Sequence, residues 1–264
     1  MYDFNYIRPK TLDEASRALQ SEGAKVLAGG QTLIPSLKLR LNRVPMVIDL
    51  GGIGGLKRIE KQGNALIIGA MATHAEVATS TVVASAIPGM ARLAETIGDP
   101  QVRNLGTIGG SIANNDPAAD YPAAALALGA RFKTTKRSVT ADAHFRGLFA
   151  TFDDDEILTE IAFPIPKRFA YAKFPNPASR FALVGVAVAE TAAGIRVAVT
   201  GAGATGVFRA SAMEAALAKS FAPTGLKDVR IDASNLTGDL HADAEYRAHL
   251  IKVMARRAVE ACIG

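Results

Sequence analysis

Apolar and polar positions along the 264-residue chain fall into short runs broken by glycine, proline and small polar residues. Residues 2–6 alternate as a short strand does. Thr11 stands as a helix cap with Glu14 three residues on, and the spacing predicts a helix to about Ser21, stopped at Gly23. Residues 25–28 read as a short buried strand running straight into Gly29-Gly30. Residues 36–41 read as helical or turn-like and 46–50 as the next strand, so residues 1–53 make a small α/β unit. The pairs Gly51-Gly52 and Gly54-Gly55 mark a flexible link. A hairpin is expected from 56–60 and 65–69 about Gly63-Asn64. Thr73 caps a helix, with Glu76 three residues later, and a longer helix follows over about 88–96. After a glycine-rich stretch, 118–128 reads as a buried helix or short helical turns, 130–134 with 138–142 as a strand pair, and 157–163 as an apolar strand closed by Pro164-Ile165-Pro166. Beyond that point the pattern turns antiparallel, over 169–174, 182–191 and 195–200, with a turn at Ala193-Gly194. A helix over 213–217 precedes a long one from about Asp243 to Ile263, with Tyr246, Leu250, Met254 and Ala258 along one side. A domain boundary is expected near residue 167.

The apolar fraction of 49% and charged fraction of 21% suit a globular protein with a real core. No run of about 18 apolar residues predicts a membrane span, and the N-terminal residues lack the basic-then-apolar order of a secretory signal. Cys262 is the only cysteine, so no internal disulfide forms, and this chain alone carries neither an iron–sulfur cluster nor a cysteine zinc site. Four scattered histidines show no ligand spacing. Redox chemistry here would therefore need an organic cofactor. The formal net charge is +5, with basic clusters at Lys38, Arg40 and Arg43, at Arg131, Lys133, Lys136 and Arg137, and at Lys252, Arg256 and Arg257. Aromatics are only 6%, tryptophan is absent and no nucleic-acid motif appears, which argues against a nucleic-acid partner. A solvated surface, or docking to acidic partner subunits, fits the charge better.

Two stretches carry the candidate chemistry. In Ala28-Gly29-Gly30-Gln31-Thr32-Leu33-Ile34-Pro35 a strand ends in paired glycines, which permit φ > 0 and let consecutive amides converge on an anion. Neither the nucleoside-triphosphate P-loop nor GxGxxG is present. The second stretch, Gly98 to Leu126, reads GDPQVRNLGTIGGSIANNDPAADYPAAAL. It supplies Thr107-Ile108-Gly109-Gly110-Ser111 and then a run of small residues, as expected where a planar ligand approaches the backbone. Both are expected to be loops presenting backbone amides, holding together the diphosphate of one large cofactor.

AGGQTLIP with IGDPQVRNLGTIGGSIANNDPAADYPAA resembles the FAD-binding medium subunit of molybdenum hydroxylases, the carbon monoxide dehydrogenase and xanthine dehydrogenase family. The likeness continues through THAEVA, EILTEIAFP and AYAKF to the C-terminal region. The resemblance implies an α+β fold, with a two-subdomain FAD-binding domain of PCMH type over 1–166 (subdomains about 1–53 and 54–166). A smaller α/β C-terminal domain with an antiparallel sheet and helices would cover 167–264. It implies FAD bound non-covalently, no metal on this chain, and no catalytic residue of substrate chemistry. It places Ala28, Gly29, Gly30, Gln31, Thr32 and Leu33 in the first FAD segment, and Thr107, Ile108, Gly109, Gly110 and Ser111 in the second. Asp120 would bind the cofactor through a hydroxyl or amino group, and Leu158 would be an apolar contact to a ring. Lys173 would put a positive charge near the flavin, and Ile97 and Asn114 would flank the site. Thr32 keeps the hydroxyl where many relatives have serine. The resemblance further implies a small subunit with [2Fe-2S] clusters, a large subunit with the molybdenum cofactor, a dimer of heterotrimers, and a cytoplasmic location. Two other readings are a free-standing FAD-dependent oxidoreductase of the same fold and a flavin-free module that only bridges subunits.

Other residues read plainly: His74 caps or packs a helix, Cys262 is a small core residue, and residues 153–156 form a solvated turn. Arg103 is a clamp on the second stretch or an interface residue.

Overall fold

A computed structural model of the chain describes residues 1–145, 147–148 and 151–264. Its elements run β1 (Asn5–Ile7), α1 (Leu12–Ala18), β2 (Lys25–Leu27), α2 (Leu33–Lys38) and β3 (Met46–Asp49), then β4 (Ile59–Gln62) and β5 (Ala65–Gly69). Helices α3 (His74–Thr79), α4 (Thr81–Ala86), α5 (Pro88–Glu95), α6 (Pro100–Leu105), α7 (Ile108–Asn114) and α8 (Asp120–Leu128) follow. Next come β6 (Arg131–Thr134), β7 (Ser138–Thr140), α9 (Ala141–His144), β8 (Leu158–Pro164), β9 (Arg168–Pro175), β10 (Ala182–Thr191), β11 (Gly194–Thr200) and β12 (Phe208–Arg209). The chain closes with α10 (Ser211–Lys219) and α11 (Ala244–Ile263).

Three sheets result. The first is small and parallel, in order β1-β3-β2. The second is antiparallel, in order β4-β5-β8-β6-β7. The third is antiparallel, in order β12-β11-β10-β9. The expected caps hold: Thr11 accepts from the Glu14 amide, and Thr73 and Glu76 form a full capping box. Asp243 caps α11 through the Tyr246 amide. The first helix is shorter than expected, ending at Ala18, because residues beyond it turn over into Gly23 at φ 72. Gly51-Gly52 is not a flexible link. It forms a 3-10 turn held by the Asp49 carboxylate, and a Cβ on Gly52 would lie 2.5 Å from the Pro9 carbonyl.

The largest departure from expectation is the central stretch. Residues ahead of the expected helix at 118–128 form α6 and α7 rather than loop, while α8 falls where a buried helix was expected. Asp99 caps α6 through the Val102 amide, and Thr107 caps α7 through the Gly110 amide. Asn115 ends α7 in the left-handed region at φ 44. All nine residues of α8 are buried, because it packs between the second and third sheets. That explains its Ala-rich sequence, since an apolar helix with no polar face must be covered all round. In the third sheet, Arg247 of α11 donates to the carbonyls of Leu183 and Gly201 and pairs with Asp239, tying the last helix to β10 and the end of β11.

Beside α7, His144 sits in an aromatic cluster with Phe132, Phe145 and Phe152, stacked on Phe152 at 4.1 Å. Its ring donates to the Ile112 carbonyl, and its Nε2 has no partner among the described residues. Burial pulls its pKa down to about 4. A histidine held neutral by folding contributes stability above its unfolded pKa of about 6.5, lost as pH falls toward 4. His144→Phe is therefore expected to flatten the acid limb of the stability profile. Its urea-derived stability should fall less than wild type between pH 7 and 4.5, by about 2 kcal/mol. Parallel profiles would contradict the buried neutral state.

Candidate functional site

One cavity of about 550 Å³ is lined from both signature stretches. Its size lies within the roughly 300–1,000 Å³ of cofactor pockets. From the first stretch it takes Ala28, Gly29, Gly30, Gln31, Thr32 and Leu33. From the second it takes Ile97, Thr107, Gly109, Gly110, Ser111, Asn114 and Asp120, and β8 adds Leu158. Two residues named from sequence do not line it. Ile108 is fully buried in the apolar core, and Lys173 lies behind Asp120.

The glycines explain how the two stretches meet. A Cβ on Gly29 would stand 2.1 Å from the Leu105 carbonyl and 2.7 Å from Gly106 Cα. A Cβ on Gly109 would meet the Ala70 carbonyl at 2.5 Å. Such distances are far inside contact, so these positions exclude side chains because backbone packs on backbone. Gly110 faces Ala28, whose Cβ would be 3.5 Å from an added one.

The two stretches differ in what they offer an anion. The amides of Ile108, Gly109, Gly110 and Ser111 are already engaged by the Ala72 and Ala70 carbonyls, the Thr107 hydroxyl and the Thr107 carbonyl. Among the described residues, no hydrogen bond within the chain engages the amides of Gly29, Gly30, Gln31 or Thr32. The expectation of two amide-presenting loops is thereby corrected. Free donors come from the first stretch, where Gly30 at φ 72 turns the chain. The second contributes a flat glycine surface with the Ser111 hydroxyl and the Asn114 amide. Arg103 acts as a clamp, donating to the carbonyls of Ile97 and Gly98.

At one part of the wall lies a buried charged group. Asp120 accepts from the Tyr171 hydroxyl and from Lys173 Nζ at 3.0 Å, and Lys173 also donates to the Thr96 carbonyl. Both side chains of the ion pair are 5% exposed. Burial pushes the Asp120 carboxyl above its ordinary range, against the pull of Lys173 and Tyr171. Tyr171 fits because Gly185 on the neighbouring strand lacks a side chain; a Cβ there would lie 2.1 Å from the phenol oxygen.

Sequence reasoning missed several lining residues. His74 begins α3, is buried, and packs its ring 5.4 Å from that of Tyr121. Burial, and then the Arg103 charge, lowers its pKa to about 4, so it is neutral near pH 7. Glu156 was expected in a solvated turn with Asp153, Asp154 and Asp155. The three aspartates pair at the surface with Arg137, Lys25 and Lys136, whereas Glu156 is buried in the cavity wall. Arg180 and Phe181 line the cavity from the turn before β10, and nothing in their local sequence marks them.

Comparison with known proteins accords with this geometry. Residues 2–166 match the family model described as the FAD binding domain in molybdopterin dehydrogenase. Residues 169–262 match that of the CO dehydrogenase flavoprotein C-terminal domain. The chain is 34% identical to the carbon monoxide dehydrogenase medium chain of Hydrogenophaga pseudoflava, covering 98% of this chain and 96% of that one. It is 33% identical to the nicotine 6-hydroxylase medium subunit of Paenarthrobacter nicotinovorans, over 96% and 95%. The solved structure of reconstituted CO dehydrogenase from Oligotropha carboxidovorans superposes with a TM-score of 0.91 at 31% identity, over 99% of this chain and 98% of that one. The chain therefore belongs to the FAD-binding medium subunits of the molybdenum hydroxylases, the family of carbon monoxide dehydrogenase and xanthine dehydrogenase.

Proposed function

We propose that this chain holds FAD non-covalently in the cavity between its two signature stretches, as the flavoprotein subunit of a heterotrimeric molybdenum hydroxylase. In that assembly it passes electrons from the [2Fe-2S] clusters of a small subunit to an external acceptor, while substrate is hydroxylated at the molybdenum cofactor of a large subunit. The observation that carries this reading is the meeting of both stretches on one cavity with free amides at its wall. When bound, FAD supplies a centre that exchanges electrons singly or in pairs.

This chain's own part is to bind and orient. The amides of Gly29, Gly30, Gln31 and Thr32 hold the diphosphate. Thr107, Gly109, Gly110 and Ser111, with Asn114, form the surface along which the cofactor lies. Ile97 and Leu158 provide apolar contacts, and Leu33 and Ala28 close the first segment. Asp120 accepts a hydrogen bond from the cofactor. Lys173 acts through Asp120, holding the carboxylate in place and balancing its charge. Residues 1–166 serve as the FAD-binding domain and 167–264 as the C-terminal domain. A dimer of heterotrimers in the cytoplasm is the assembly this reading favours. Among the described residues no helix is long and apolar enough to cross a membrane, and the single cysteine is unpaired.

The full chain reconstituted with FAD is expected to show a flavin absorption band at one equivalent per chain, and to co-purify with two further subunits. A chain that takes up no flavin would overturn the reading.

The buried pair gives a second expectation. Without Lys173, nothing charged offsets the burial of Asp120, whose folded pKa rises further above its unfolded value near 3.8. A carboxyl with a raised folded pKa favours folding below its unfolded pKa and weakens it as pH rises. Lys173→Met should therefore be close to wild type in stability near pH 4 and less stable by about 3 kcal/mol at pH 7.5. Denaturant titrations of the flavin-free chain across that range test this, and a gap that stays constant with pH counts against it.

A further inference from the structure

Glu156 is a buried carboxylate of the cavity wall whose chemistry the cradle does not use. Its side chain is 2% exposed. Oε1 pairs with Arg137 Nε at 2.7 Å, and Oε2 has no hydrogen-bond partner among the described residues. Its position is fixed from both sides. The Glu156 amide donates to the Asp153 carbonyl, and Ile157 exchanges backbone and side-chain hydrogen bonds with Thr135. A buried carboxylate oxygen left without a donor costs on the order of 1–3 kcal/mol, and Glu156 lines a cavity whose occupant can supply one.

The hydrogens a ligand can offer say which group fits. Asp153 and Asp154 line the same cavity but are paired with Arg137 and Lys25, so their charges are balanced. An ionised phosphate has no hydrogen to donate to Oε2 and is served by the amides of Gly29 to Thr32 instead. A neutral N–H or O–H group suits Glu156. The geometry points to Glu156 as a specificity residue, accepting through Oε2 a hydrogen bond from an N–H or O–H of the bound dinucleotide. The inference rests on the reading that the cavity holds FAD. The donor belongs either to the adenosine half or to the flavin half, and each half can be presented separately as ADP or as FMN.

Glu156→Gln keeps the shape and replaces one acceptor with an amide. In either orientation of that amide, one donor faces another, at Arg137 or at the ligand. Binding of FAD, FMN and ADP to the flavin-free full chain is measured by calorimetric titration, with thermal melting of the unliganded protein alongside. The variant is expected to bind FAD roughly tenfold more weakly, and to lose affinity for one half while binding the other as wild type does. Loss confined to ADP assigns the donor to adenosine, and loss confined to FMN assigns it to the flavin half. Equal loss for both halves means that Glu156 only supports the fold, and unchanged FAD binding means that Oε2 meets no donor; either overturns the inference. Glu156→Asp, which keeps the charge but withdraws the oxygen, is read the same way should Glu156→Gln not fold. Failure of the wild-type chain to bind FAD overturns the functional reading itself, a result separate from any effect of the variant.

Discussion

The structure depends on a close approach of backbone to backbone where two distant stretches meet. Gly29 lies against Leu105 and Gly106, Gly109 against Ala70, and Gly110 beside Ala28. These contacts bring the loop after β2 onto the helices after β5, so that the first sheet and the second share one cavity. A side chain at Gly29 would force the two apart, and one at Gly109 would push α7 off the end of β5. The same glycines thus do two jobs. They let the segments pack, and they leave a wall without side chains on which a flat ligand can lie.

The second constraint is a buried charge. Asp120 opens α8, the helix enclosed between two sheets, and is held by Tyr171 and Lys173 from β9. An unpaired carboxylate there would be costly, so the third sheet must supply its partners. This makes the C-terminal region a participant in the cavity rather than an appendage. Gly185 yields space for Tyr171, Tyr171 and Lys173 fix Asp120, and Asp120 faces the cavity. The residues behind the wall are as necessary as those in it, because a carboxylate aims its oxygens only when its other lone pairs are occupied.

Much of the fold was legible because its signals are local. The capping box at Thr73 and Glu76, the hairpin about Gly63-Asn64 and the apolar runs of β10 and β11 about the Ala193-Gly194 turn are each written locally. Residues 100–114 read as loop because their proline, glycines, serine and asparagines carry weak helix propensity. In α7, tertiary burial of Ile108 and Ile112 overrides that propensity. The site was legible where a motif marks it, at Gly29 to Thr32 and Thr107 to Ser111. It was opaque at His74, Glu156 and Phe181, since nothing adjacent in sequence distinguishes a residue that faces a cavity from one that faces solvent. Glu156 is the sharpest case. It follows three surface aspartates, and only the turn of the chain into β8 takes it inside.

The distribution of charge around the cavity follows from these placements. Amide donors gather at Gly29 to Thr32, a neutral imidazole stands at His74, and the carboxylates of Asp153, Asp154 and Glu156 are each paired with Arg137 or Lys25. Keeping His74 neutral matters to the same balance. A charged imidazole beside Arg103 would be unfavourable, and burial removes that charge near pH 7. At Gly29 to Thr32 the donors offered to an anion are backbone dipoles. Such dipoles are fixed by the fold and do not titrate, so the cradle keeps its character across the pH range in which the chain stays folded.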